Sequence, residues 1–150
     1  MRLEHLCDLD LRYVGESVWI KPYGDKEAAG YGQGDGTVSG SRLRGTFRWT
    51  NHPRRREDGV WLPDVHGYIA TEDGARILIT IQGYSVLEDT PGVKRAIVAV
   101  STFRTSNAQY RWLNFALGVV EGEIDEETEQ VRMRAFVCIN EIASGPPAIT

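Results

Sequence analysis

Apolar and polar residues alternate at three places along this chain, and a period of two leaves little room for anything but β-structure. From Leu3 to Tyr13 the odd positions are Leu3, His5, Cys7, Leu9, Leu11 and Tyr13, and most even ones are charged. The pattern returns over Val60 to Thr71. It returns again from Val131, where Val131, Met133, Ala135, Val137 and Ile139 share one face. Successive side chains of a strand leave opposite faces, so each stretch predicts a strand with one buried side. Arg76 to Tyr84, Arg42 to Trp49, Ala96 to Phe103 and Tyr110 to Val120 read as further strands, with Thr37-Val38 a short one. Turn residues punctuate them at Ser39-Gly40, Asp73-Gly74 and the acidic run Gly122 to Gln130. The glycines between Gly24 and Gly36 read as a mobile loop or a set of turns. No segment reads as a long amphipathic helix.

Serial hairpins with no long helix predict an all-β fold. The expected form is one antiparallel β-barrel, calycin-like in size, spanning 1–150, with 143–150 a frayed tail. A chain of 150 residues suits one such domain and needs no metal or disulfide to hold its core. A barrel of about eight strands has an interior that is either filled by side chains or holds one small ligand.

The net charge of −4 argues against a nucleic-acid partner. No apolar run approaches the ~20 residues of a membrane helix, and Met1 to His5 carries no signal-like apolar core. The expectation is a cytoplasmic protein with no membrane partner. Cys7 and Cys138 lie on the first and last predicted strands, which meet when a barrel closes. A disulfide is geometrically conceivable there, and two buried free thiols are the plainer reading. Ala96-Ile97-Val98-Ala99-Val100 is apolar on both faces, although one face of an antiparallel strand normally meets water. A covering loop or a second copy is implied, and a homo-oligomer is expected.

Two stretches carry candidate chemistry. Asp64, His66 and Tyr68 share one face of their strand. Turned inward, Asp64 is a general acid or base with His66 as its partner, and Tyr68 a hydrogen-bond donor. Turned outward, the three are a solvated surface. If Tyr110 to Val120 is a strand, Tyr110, Trp112 and Asn114 line one face, with Ala116 and Gly118 leaving space beside them. Trp112 then forms an aromatic wall and Asn114 a donor, while Arg42 orients an anionic group. Register decides everything here, because a slip of one residue exchanges the faces. His52-Pro53-Arg54-Arg55-Arg56 reads as a solvated basic loop, or as a dock for an anion at a barrel rim.

The glycine cluster lacks dinucleotide spacing, and no phosphate-cradling or serine-elbow motif is present. The three histidines are not at ligand spacing, so no metal and no cofactor is expected.

The run Gly34-Asp35-Gly36-Thr37-Val38-Ser39-Gly40-Ser41-Arg42-Leu43-Arg44-Gly45, with Thr71-Glu72-Asp73-Gly74-Ala75, resembles a family of small bacterial proteins known only as a domain of unknown function. The likeness runs from about Leu3 to Glu141. Many members carry a basic residue two after the aspartate, where this chain has His66, and Trp112-Leu113-Asn114 is similar to a subset. The resemblance implies an antiparallel β-barrel and no particular activity. From the residues, the expected function is small-molecule binding, with cofactor-independent lyase, isomerase or cyclase chemistry at Asp64 and His66. The alternatives are a carrier without chemistry, or a structural oligomer whose barrel is filled.

Overall fold

In a computed structural model that describes residues 1–143 and 145, the chain closes into an eight-stranded antiparallel barrel. The walls are β1 (Arg2–Tyr13), β3 (Ala28–Ser39), β4 (Gly45–Asn51), β7 (Asp64–Thr71), β8 (Arg76–Leu87), β9 (Lys94–Arg104), β10 (Gly118–Asp125) and β11 (Gln130–Ile139). Around the barrel the order is β1-β11-β10-β9-β8-β7-β4-β3, and β3 returns to β1. Closure leaves no free edge among the eight. Three short strands, β2 (Val18–Ile20), β5 (Arg54–Arg55) and β6 (Trp61–Leu62), build a collar at one end. The residues 146–150 of the expected tail lie outside the described residues, as does 144.

The core is the inner face of this cylinder. Phe47, Ile69, Ile77 and Leu113 are wholly buried, and Leu9, Leu11, Ile81, Val120 and Val137 nearly so. The alternation over Leu3 to Tyr13 holds only from Cys7 onward. Register slips between His5 and Cys7, a bulge that leaves Leu6 as the extra residue, turns it inward and leaves Leu3 exposed. Cys7 and Cys138 are both free; Cys7 is buried, and burial pushes its thiol up to about 12, so it is unreactive at neutral pH. No helix of the described residues is long and apolar enough to cross a membrane.

Two segments differ from the pattern read in the sequence. The glycine cluster is not a loop but half of β3. Gly30, Gly32, Gly34 and Gly36 recur every second residue and share the inner face with Ala28 and Val38. A Cβ on Gly34 would lie 2.3 Å from the Trp49 ring, and one on Gly32 would lie 2.7 Å from the Tyr13 ring. At Gly32 and Gly34 the Tyr13 and Trp49 rings lie against the stripe, and at Gly36 the Asp10 carbonyl and Leu11 do.

The second difference is at Tyr110 to Val120. The first part is a 3₁₀ helix, Ala108–Phe115, and only Gly118–Asp125 is strand. Asn107 caps the helix by accepting a hydrogen bond from the Gln109 N–H at 2.9 Å. Asn114 and Thr105 tie its two ends together, Thr105 N–H donating to Asn114 Oδ1 at 2.8 Å and Asn114 Nδ2 donating to Thr105 O at 2.9 Å. Tyr110 and Leu113, three apart, face the core. The helix closes one end of the barrel.

Candidate functional site

The two ends of the barrel are unlike. At the closed end Tyr110 donates to Asp73 Oδ2 at 2.8 Å, and Thr71 also bonds that carboxylate. These two bonds hold Asp73 below the usual carboxylate range, the Thr71 bond most. Burial, then Asp73, pushes Tyr110 up, so the phenol stays a neutral donor. Arg42 stacks 4.1 Å over the Trp112 ring and also pairs with Glu4. Arg42, Tyr110, Trp112 and Asn114 therefore form a plug and its fastenings, not one wall of a pocket. The parity argument fails there because side chains two apart share a face on a strand, not on a 3₁₀ helix.

Asp64, His66 and Tyr68 lie on the outer side of β7, whose inner side carries Val65, Ile69 and Thr71. Asp64 Oδ1 accepts from Gln82 Nε2 at 2.8 Å and lies 2.8 Å from His66 Nε2. Burial pushes the Asp64 carboxyl up, but the bonds from Gln82 and His66 outweigh it and hold the group below its usual value. His66 and Tyr68 border a shallow outer groove with Arg48 and Trp49. The structure does not bring Asp64 and His66 together with Trp112 and Asn114: one pair is on the outer wall near one end, the other at the opposite end.

The open end holds a cavity of about 220 Å³, walled by Tyr13, Trp19, Tyr31, Trp61 and Ile97. A smaller void of about 30 Å³ continues it inward past Asn51 toward Trp49 and Met133. Tyr13 packs edge-on against Trp49, with ring centres 4.8 Å apart, and accepts a hydrogen bond from Asn51 Nδ2 at 3.2 Å. That leaves the phenolic proton free for a ligand. Burial pushes the Tyr13 phenol up, so it is a donor at neutral pH. Asn51 is itself locked, its Oδ1 accepting from the Asp64 N–H at 2.9 Å.

The other side of the mouth is built by Arg95. Its side chain is buried, stacks 4.0 Å over Trp61, and donates to Ser85 Oγ (3.2 Å), Ser85 O (2.9 Å) and Gly59 O (2.8 Å). The remaining nitrogen, Nη1, lies 3.5 Å from Glu126 Oε1, which has no hydrogen-bond partner. Burial lowers the pKa of Arg95 and Glu126 partly restores it. Glu126 lines the cavity. Trp61 is held from its other neighbour by Trp19, ring centres 5.2 Å apart, so β2 and β6 meet over the mouth.

These residues escaped the sequence reading for one reason. They come from β1, β2, β3, β4, β6, β9 and the β10–β11 turn, and they converge only when the barrel closes. Among the described residues no cluster of His, Cys, Asp and Glu is placed to hold a metal.

The model of a protein family described as a protein of unknown function, DUF3237, matches residues 1–138. Three solved structures share the barrel. A β-barrel-like protein from Acinetobacter baumannii has a TM-score of 0.81 at 19% identity, covering 91% of this chain and 94% of that one. A protein of unknown function from Clostridium acetobutylicum has a TM-score of 0.81 at 19% identity, covering 93% and 100%. An enzyme from Penicillium herquei has a TM-score of 0.65 at 24% identity, covering 90% and 93%. At these identities the likeness is one of fold. No curated protein matches. The chain belongs to the DUF3237 family.

Proposed function

We propose that the chain binds a small organic molecule in the open mouth and carries out cofactor-independent proton transfer on it, as a lyase, isomerase or cyclase. The observation that carries this is the composition of the mouth. Aromatic and aliphatic walls surround a few polar groups, and two of these are fixed by a second residue: Tyr13 by Asn51, and Glu126 by Arg95. Such an arrangement is what acid–base chemistry without a cofactor needs. Glu126 is placed to take a proton from a ligand in the cavity, and Tyr13 to donate a hydrogen bond to the oxygen where charge develops. The apolar walls keep water away and strengthen both effects. A structural neighbour that is an enzyme is consistent with chemistry on this fold, although fold does not by itself carry function.

The Asp64–His66 pair is the second reading, favoured by its 2.8 Å contact beside the outer groove. One experiment separates the two. Small-molecule extract is incubated with the wild-type protein, Glu126→Gln and Asp64→Asn, and followed by mass spectrometry. The first reading expects a compound converted to an isomer or an elimination product, with conversion lost in Glu126→Gln and kept in Asp64→Asn. The reverse pattern moves the chemistry to the outer wall. Retention of a compound in the mouth without conversion leaves a carrier.

A further inference from the structure

The charge of the mouth points to the class of its ligand. Among the described residues that line the cavity, the only ionisable side chains of acidic or basic residues are Glu126 and Glu129, and none is Lys, Arg or His. Glu126 is paired with Arg95, but Glu129 makes no ion pair among the described residues. Both belong to the turn between β10 and β11, in a run from Glu121 to Glu129 that holds Glu121, Glu123, Asp125, Glu126, Glu127 and Glu129 with no basic residue. Lys94 answers Glu123 at 3.3 Å, and Asp125 Oδ1 is occupied by the N–H groups of Glu127 and Thr128. The basic run on the collar does not balance this rim. Arg54 pairs with Glu27 and Arg56 with Asp58, Arg55 lies over the Trp19 ring, and none of the three lines the cavity.

We propose that the mouth selects an organic cation, a protonated amine carried on a small flat apolar body, over the isosteric carboxylate. This rests on the mouth being the binding site. The apolar body fits between Trp19, Trp61 and Tyr13. The ammonium group meets the Glu129 carboxylate at the rim. A carboxylate in the same place meets the like charge of Glu129 and finds no Lys, Arg or His among the residues that line the cavity, which is discrimination by repulsion as well as attraction.

Glu129 also holds an unusual backbone position. Its φ is 60°, the left-handed region that favours glycine, and it is the one non-glycine residue with positive φ among those described. Its N–H donates to Asp125 O at 2.8 Å, which fixes the turn. Glu129→Gly therefore relaxes the backbone and removes the charge in one step, whereas Glu129→Gln removes only the charge.

The test uses three matched probes at pH 7: 3-phenylpropylamine, 3-phenylpropanol and 3-phenylpropionate. Binding is followed through the indole N–H signals of Trp19 and Trp61. The expected order is amine, alcohol, carboxylate, with the amine at least about tenfold tighter than the carboxylate, a difference of about 1.4 kcal/mol. Glu129→Gln and Glu129→Gly remove most of the amine's advantage and leave the alcohol unchanged, and Glu129→Gly is at least as stable to urea as the wild type. Equal or tighter binding of the carboxylate, with the alcohol still bound, overturns the charge selection and leaves the mouth as the site. An amine advantage unchanged in both variants overturns the role of Glu129 and with it the proposal. Absence of any shift at Trp19 and Trp61 with all three probes overturns the mouth itself.

Discussion

The guanidinium of Arg95 lies 4.0 Å from the centre of the Trp61 ring and is almost completely shielded from water. A buried cation is tolerated only when its hydrogens and charge are answered. Here Ser85, the Gly59 carbonyl and Glu126 answer them, and the aromatic face covers the plane. One side chain thus joins β8, β9, the loop before β6 and the acidic turn, which is why the mouth is a fixed cavity.

Arg95→Met is expected to cost about 3 kcal/mol in urea denaturation, because it leaves the Ser85 and Gly59 carbonyls and the Glu126 carboxylate without their donor. Arg95→Lys keeps the charge but loses the planar fork and the stacking, so it falls between the two. A midpoint for Arg95→Met equal to that of the wild type would contradict this account.

At the closed end, stability should depend on pH through Asp73. Its carboxyl is held below the usual range by Thr71 and Tyr110, so the folded state binds a proton less readily than the unfolded chain. The stabilisation is fully present above the ordinary carboxylate value of ~3.9 and is lost as pH falls through the lower value of the folded protein. Tyr110→Phe removes one of the two bonds. The melting temperatures of wild type and Tyr110→Phe should differ by a constant amount from pH 5 to 8 and converge as pH falls below about 4. A gap that stays constant down to pH 3 would show that Asp73 is not the partner that matters.

The outer wall over β8 and β9 is apolar and uncovered by the described residues. Tyr84 stands opposite Val98 in register, Val100 opposite Val119, and Val98 is 64% exposed. We propose that a second copy of the chain packs on this wall through a two-fold axis, which lets the same patch serve both partners. Light scattering at micromolar concentration should give a dimer, and Val98→Arg a monomer with the same circular dichroism. A monomeric wild type would refute it.

Much of the wall of the barrel was legible from alternation, since Val65, Ile69, Val131, Met133, Ala135 and Val137 are all buried as a period of two requires. The failures have local causes. The bulge at Leu6 exchanges the faces of β1, and no residue there announces it. Glycine every second residue in β3 suggests loops by composition, yet a closely packed inner face demands it as much as a turn does. The alternation over Tyr110 to Val120 suggests a strand, but its first half folds as the 3₁₀ helix Ala108–Phe115, with Asn107 as its N-cap.

Alternation along the chain is enough to specify an antiparallel β-barrel with little helix. Period-two burial is a property of each strand alone, so it can be read without knowing any partner. Where the cavity lies follows from how the strands close on one another. Tyr13, Asn51, Trp61, Arg95, Glu126 and Glu129 are spread over 117 positions of the chain, and no spacing relates them. Closing the barrel brings their strand ends to one rim, and plugging the other end with Leu113 leaves that rim as the open one.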